Sequence, residues 1–119
     1  MVTNAFFLKR LNDHVQYLKK VQGAIEDKNR FEGTDPHHCK LGEWLYGSGP
    51  DEAAQISAEA RVIFDQLFEP HERFHNASAR ALEKHAAGDD AGCEQEMTEM
   101  HTLSGVLVNI LLKLDELSH

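Results

Sequence analysis

The residues of this chain whose types and spacing could do chemistry begin with His71-Glu72-Arg73-Phe74-His75. Histidines four apart on a helix lie about one turn from each other on one face, so both imidazoles can reach a single metal ion. The same five residues spell H-E-x-x-H, in which two helix histidines bind zinc and the glutamate acts as general base for peptide hydrolysis. A catalytic zinc keeps one coordination position open, whereas a structural or regulatory zinc is closed by four protein ligands. What the rest of the chain offers as ligands therefore decides what the pair is for.

The other candidates are His14 and Cys39. His14 fills the gap between Leu11 and Leu18 in the apolar series Phe7, Leu11, Leu18, Val21 and Ile25, whose steps of three, four or seven mark the inner face of a helix. Cys39 opens the stretch Cys39-Lys40-Leu41-Gly42-Glu43-Trp44-Leu45. A cysteine at a helix start meets unpaired backbone amides and the positive end of the helix dipole, which lower the thiol pKa and favour the thiolate that zinc needs. Leu41, Trp44 and Leu45 can anchor that short helix, and Gly42 lets the backbone pack closely. Taken singly, an inward histidine is ordinary core and a buried cysteine is inert. Three core-facing histidines and a cysteine together are costly to bury unless one ligand occupies them all.

The competing peptidase reading takes His71 and His75 as ligands, Glu72 as base, and Glu94, Glu96 or Glu99 as a third ligand. Glu72 follows His71 directly, so it cannot fully share the inward stripe. A di-iron bundle would need carboxylates spaced from the histidines, but Leu18 stands four after His14 and Gly105 four after His101.

The elements that must position these residues read as helices. The spacing predicts one helix over residues 4–30, a connector over 31–38 rich in turn residues (Gly33, Thr34, Asp35, Pro36), and a short helix over 38–46 that ends at Gly47-Ser48-Gly49-Pro50. Residues 51–87 read as a long helix, with Pro70 producing a kink or marking two helices that meet. Gly88-Asp89-Asp90 is a stop followed by a start, and 91–117 is the last helix, with the stripe Met97, Met100, Ser104, Leu107, Leu111 and Leu114. No stretch reads as a strand. The expectation is an all-α, antiparallel four-helix-type bundle with a short extra helix carrying the cysteine, as a single domain over 1–119. The broad apolar surface of the last helix suits a central position or a dimer face.

The bulk numbers narrow the function classes. The net charge is −8, with 20 acidic against 12 basic residues, which argues against nucleic acid and against an anionic membrane surface. No run approaches membrane-spanning length. There are two cysteines, Cys39 and Cys93, and no signal peptide opens the sequence. A reducing cytoplasm with free thiols or thiolate ligands is therefore expected, and Cys93 reads as a surface or boundary thiol. Eight histidines in 119 residues is the unusual feature.

The block Cys39-x-Leu41-Gly42-x-Trp44, preceded by His14-Val15-Gln16-Tyr17 and followed by His71-x-x-x-His75, resembles the CZB domain, the chemoreceptor zinc-binding domain of bacteria. The parts occur in the family's order, with 24 residues between His14 and Cys39 and 31 between Cys39 and His71. The resemblance implies a small helical bundle that holds one zinc through three histidines and one cysteine. By position these are His14, Cys39, His71 and His75. It also implies a homodimer attached to a chemoreceptor or a diguanylate cyclase, without catalysis of its own. Such a domain senses zinc or oxidants such as hypochlorous acid, with the cysteine as the switch. The sequence shows no methyl-accepting coiled coil and no cyclase domain, and it reads either as a freestanding domain of this kind or as a piece of a longer protein.

Overall fold

The computed structural model describes residues 7–118, and the described residues form helices without a strand. In chain order these are α1 (Phe7–Ile25), α2 (Lys40–Leu45), α3 (Gly49–Ile56), α4 (Ala58–Asp65), α5 (Phe68–Ala86) and α6 (Asp90–Leu117). The architecture is the all-α bundle that the periodicity predicts. At 28 residues, α6 spans about 42 Å at 1.5 Å per residue, which accounts for most of a molecule 51 Å long. It packs most extensively on α5 and also on α1 and α4, while α1 carries α2 and touches α5. Buried side chains explain the arrangement. α1 turns Phe7, His14, Tyr17, Val21 and Ala24 inward, and α6 turns in Met100, Leu103, Ser104, Leu107, Leu111 and Leu114. Apart from Ala24, their apolar members join one core cluster with Leu41, Trp44, Leu45, Phe64 and Phe74.

Element boundaries differ from expectation at the end of the first helix and within the long one. The predicted start of the first helix at residue 4 lies outside the described residues, but its end comes at Ile25, not at residue 30. Asp27 adopts a left-handed conformation (φ 60°), and the Lys28 amide closes back on the Gly23 carbonyl at 2.8 Å. This is the kind of closure that ends helices, done here by an aspartate where glycine is usual.

The expected long helix over 51–87 is three helices, and it begins two residues earlier, with Pro50 in the first turn of α3. Ser57 is fully extended (φ −174°, ψ 164°), and its hydroxyl accepts the Ala60 amide at 3.0 Å, capping α4. The second break is the one expected at Pro70, where two helices meet. A proline there removes the hydrogen bond to the carbonyl four residues back, at Gln66, and crowds it. The chain responds by tightening: Gln66 and Leu67 bond three residues back, to Ile63 and Phe64, and α5 starts afresh at Phe68. Pro70 thus falls in a first turn, where no amide proton is needed. Ala60, Phe64, Leu67, His71 and Phe74 are all buried, so the inward register continues across the break.

Asp89 caps α6 by accepting the Gly92 amide at 2.9 Å, as the stop–start signal at 88–90 predicts. No described helix is long and apolar enough to cross a membrane.

Candidate metal centre

Cys39 is the N-cap residue of α2. Its backbone is extended (φ −81°, ψ 162°), and its sulfur accepts the Gly42 amide at 3.2 Å. The position of that sulfur is set by packing. The Trp44 ring meets Phe7 and Phe64 edge-on at centroid distances of 5.9 and 5.2 Å. Its Nε1–H donates to Glu52 at 3.1 Å, and the Arg10 guanidinium lies over its face. Gly42 is required for close approach: a Cβ there would sit 1.7 Å from the Pro36 carbonyl oxygen. The connector before the cysteine and the turn after it are therefore pressed together.

His71 and His75 sit one turn apart on the inner face of α5, 1% and 4% exposed, with ring centroids 4.7 Å apart. His71 Nε2 lies 3.3 Å from Cys39 Sγ. That is close to the roughly 3.5 Å expected between a sulfur and a nitrogen sharing a tetrahedral zinc with ordinary bond lengths. His75 Nδ1 lies 3.0 Å from the Thr34 carbonyl, which can only accept. The proton is thus on Nδ1, and Nε2 is left with its lone pair free for a metal. One ligand atom each from Cys39, His71 and His75 lie within 4.8 Å of one another. Sequence reasoning singled out all three, and the fold brings them together from the connector–α2 junction and from α5.

His14 is buried beside them at 2% exposure and lines the same cavity of about 300 Å³. It stands outside the three-residue group: its Nε2 lies 2.9 Å from the Ser104 hydroxyl on α6, and its ring rests edge-on against Phe74. Ser104, read only as part of an apolar stripe, is thus a polar partner of a site residue. The other partner that sequence reasoning missed is the Thr34 carbonyl, a backbone group for which no side-chain pattern exists.

Burial dominates the electrostatics. It lowers the His14 pKa to about 4, with His75 contributing, and the His71 pKa to about 3, with His75, His14 and His37 contributing. His75 is also lowered by burial, partly opposed by its bond to Thr34 and by Asp35. All three are neutral at pH 7, as metal ligands must be. The thiol behaves differently from the expectation drawn from its place at a helix start. The amides of Gly42, Cys39 and Leu41 do pull its pKa down, but burial outweighs them and the net shift is upward. A metal would have to displace the thiol proton.

The donor set fits a metal. The described cluster is one sulfur and two imidazoles, a combination that zinc favours. Among the described residues His71 Nδ1 is buried with no hydrogen-bond partner, while Nε2 faces the sulfur.

The remaining candidates fall away from the cluster. Glu72 is exposed, and its carboxylate accepts the Tyr46 hydroxyl at 3.5 Å. Glu96 and Glu99 pair with Arg80 and Arg73 on the surface, and Glu94 is exposed. His37 stacks on Tyr46 and His38 bonds Asp35, both exposed as loop histidines. His85 pairs with Asp27 at 2.9 Å and His101 with Gln22 at 3.1 Å. Cys93, expected as a surface or boundary thiol, lies in the first turn of α6 but not on the surface. It is 4% exposed and packs into the core cluster, and like Cys39 it is a free cysteine.

Comparison with known proteins bears on the same residues. No curated protein and no solved structure matches the chain. The family model described as the chemoreceptor zinc-binding domain matches residues 14–82, a span that begins at His14, contains Cys39, His71 and His75, and covers more than half of the sequence. With a Cys/His/His cluster able to hold zinc inside that span, the chain belongs to the chemoreceptor zinc-binding (CZB) family.

Proposed function

We propose that this chain is a non-catalytic, cytoplasmic sensory or regulatory domain that holds one zinc through His14, Cys39, His71 and His75. The observation that carries the reading is the convergence of Cys39, His71 and His75 within 4.8 Å, with the cysteine on a short helix of its own. His14 supplies the fourth ligand. It is buried, neutral and in the same cavity. Its Nε2 faces the Ser104 hydroxyl at 2.9 Å; the tautomer that donates Nε2–H to that hydroxyl leaves Nδ1 for a metal. Four protein ligands close the coordination sphere and leave no position for a substrate. Glu72, exposed and engaged with Tyr46, has no general-base role.

Cys39 is the switch. It is the one ligand that can be oxidised, and the cavity gives a small oxidant a route to it. With hypochlorous acid, the thiolate gives two electrons, the sulfur gains the oxygen as sulfenic acid, and chloride leaves. The ligand is lost, and the junction that holds α2 against Pro36 loosens. Loss of zinc acts at the same junction. The output runs through a homodimer to a chemoreceptor or a diguanylate cyclase. The outer face of α6 supports the dimer, since Val106 and Leu112 are 42% and 44% exposed while Leu107, Leu111 and Leu114 fill the core.

Elemental analysis of the purified chain tests the reading, with one zinc per chain expected. Mass spectrometry after mild hypochlorite should show Cys39 modified and zinc released. A chain that takes up no zinc sinks the proposal. An unmodified Cys39 with zinc still bound removes its redox part, and a monomer at micromolar concentration in light scattering removes the dimer.

A further inference from the structure

We infer that Tyr17 is a positioning residue for the metal centre, acting on His75 through the backbone of Thr34. The inference rests on the zinc-site reading. Tyr17 lies three residues after His14 on the buried face of α1, and its ring is tilted against His75 at a centroid distance of 4.7 Å. Its hydroxyl accepts the Thr34 amide at 2.9 Å and donates to the Thr34 carbonyl at 3.3 Å. The same carbonyl accepts His75 Nδ1–H at 3.0 Å. A carbonyl has two lone pairs, and these two donors use both.

The connector can close over the hydroxyl because Gly33 takes a left-handed conformation (φ 87°), with a Cβ there coming within 3.5 Å of the Tyr17 oxygen. One peptide unit is therefore pinned from α1, and it sets both the tautomer and the ring angle of a histidine on α5. Without the hydroxyl, the Thr34 carbonyl is held by nothing on α1, and His75 is free to place its proton on either nitrogen.

Tyr17→Phe keeps the ring and deletes the hydroxyl. Zinc affinity of the full chain, measured by competition with a chelating dye, is expected to fall about tenfold, the lower end for losing an outer partner of a ligand. Imidazole nitrogen-15 NMR of the metal-free protein should show His75 with its proton on Nδ1 in the wild type and a mixture of tautomers in the variant. Lost packing alone would lower the melting temperature without touching the tautomer. Thr34→Ala keeps both backbone groups and should bind zinc as the wild type does.

An unchanged His75 tautomer in Tyr17→Phe, or a zinc affinity within twofold of wild type, overturns the inference. If that variant does not fold, the wild type decides: His75 protonated on Nε2, or a rapidly exchanging Thr34 amide, overturns it. A wild-type chain that binds no zinc counts against the zinc site, while the tautomer, read without metal, still decides the role of Tyr17.

Discussion

His71 and His75 share one helix face, one turn apart, yet they are held in different ways. His75 is braced: the Thr34 carbonyl takes its Nδ1 proton, and Tyr17 holds Thr34 in turn. His71 has no such support. Its Nδ1 is buried without a partner, and its Nε2 faces the Cys39 sulfur at 3.3 Å. The comparison divides the site into a preorganised half and a half whose two groups can satisfy each other. A thiol proton shared between Cys39 and His71 offers them an alternative to a metal, and in the proposed function this is the half that changes. The braced half is fixed from α1 and the connector and has no comparable alternative.

Removing the changeable half should have the largest effect. Cys39→Ala is expected to weaken zinc binding by more than about a hundredfold, beyond the range for losing a mere supporting partner. Glu72→Gln should leave the affinity at the wild-type value. A peptidase would give the reverse pattern, keeping zinc without the cysteine and losing activity without the glutamate.

The junction beneath the cysteine should be nearly as sensitive. Gly42→Ala drives a methyl into the Pro36 carbonyl, so α2 must shift. A loss of about 1–3 kcal/mol in urea unfolding of the metal-free protein is expected, with weaker zinc binding. Wild-type stability and affinity would show that the sulfur is not held by that contact.

Acid tests the buried histidines together. The folded pKa values of His14 and His71, about 4 and about 3, lie below the ordinary 6.5, so below pH 6.5 the unfolded chain binds more protons than the folded one. Metal-free stability is therefore full above pH 6.5 and falls as pH drops toward 5. The slope approaches about 1.4 kcal/mol per pH unit for each of the two at the acid end, with His75 acting in the same direction. A flat stability curve over that window would mean these rings are not buried neutral.

The smallest effect should come from Ser104→Ala. If Ser104 braces His14 as Thr34 braces His75, zinc affinity drops several-fold. No change would leave His14 in the unbraced class with His71.

Much of this was legible in the chain itself. The inward stripes of α1 and α6 follow from apolar spacing, and the H-x-x-x-H pair and the cysteine block identify themselves by residue type. The break at Ser57 was not legible as a boundary, and Pro70 signalled the second break without fixing its place at Gln66 and Leu67. A serine cap resembles any serine within a polar stretch, and Pro70 acts on a carbonyl four residues upstream of itself. The left-handed Asp27 was hidden for the same kind of reason, because aspartate is compatible with a continuing helix.

What the sequence by itself determined is a helical bundle with the donor chemistry of a zinc site, because periodicity and ligand type are local properties. Only the tertiary structure decided how each donor is held. The Thr34 carbonyl behind His75, Ser104 against His14, and the burial that outweighs the helix amides at Cys39 all arise from segments distant along the chain. Backbone groups and desolvation leave no mark in a residue pattern, and they are what separates the two histidines of the opening motif.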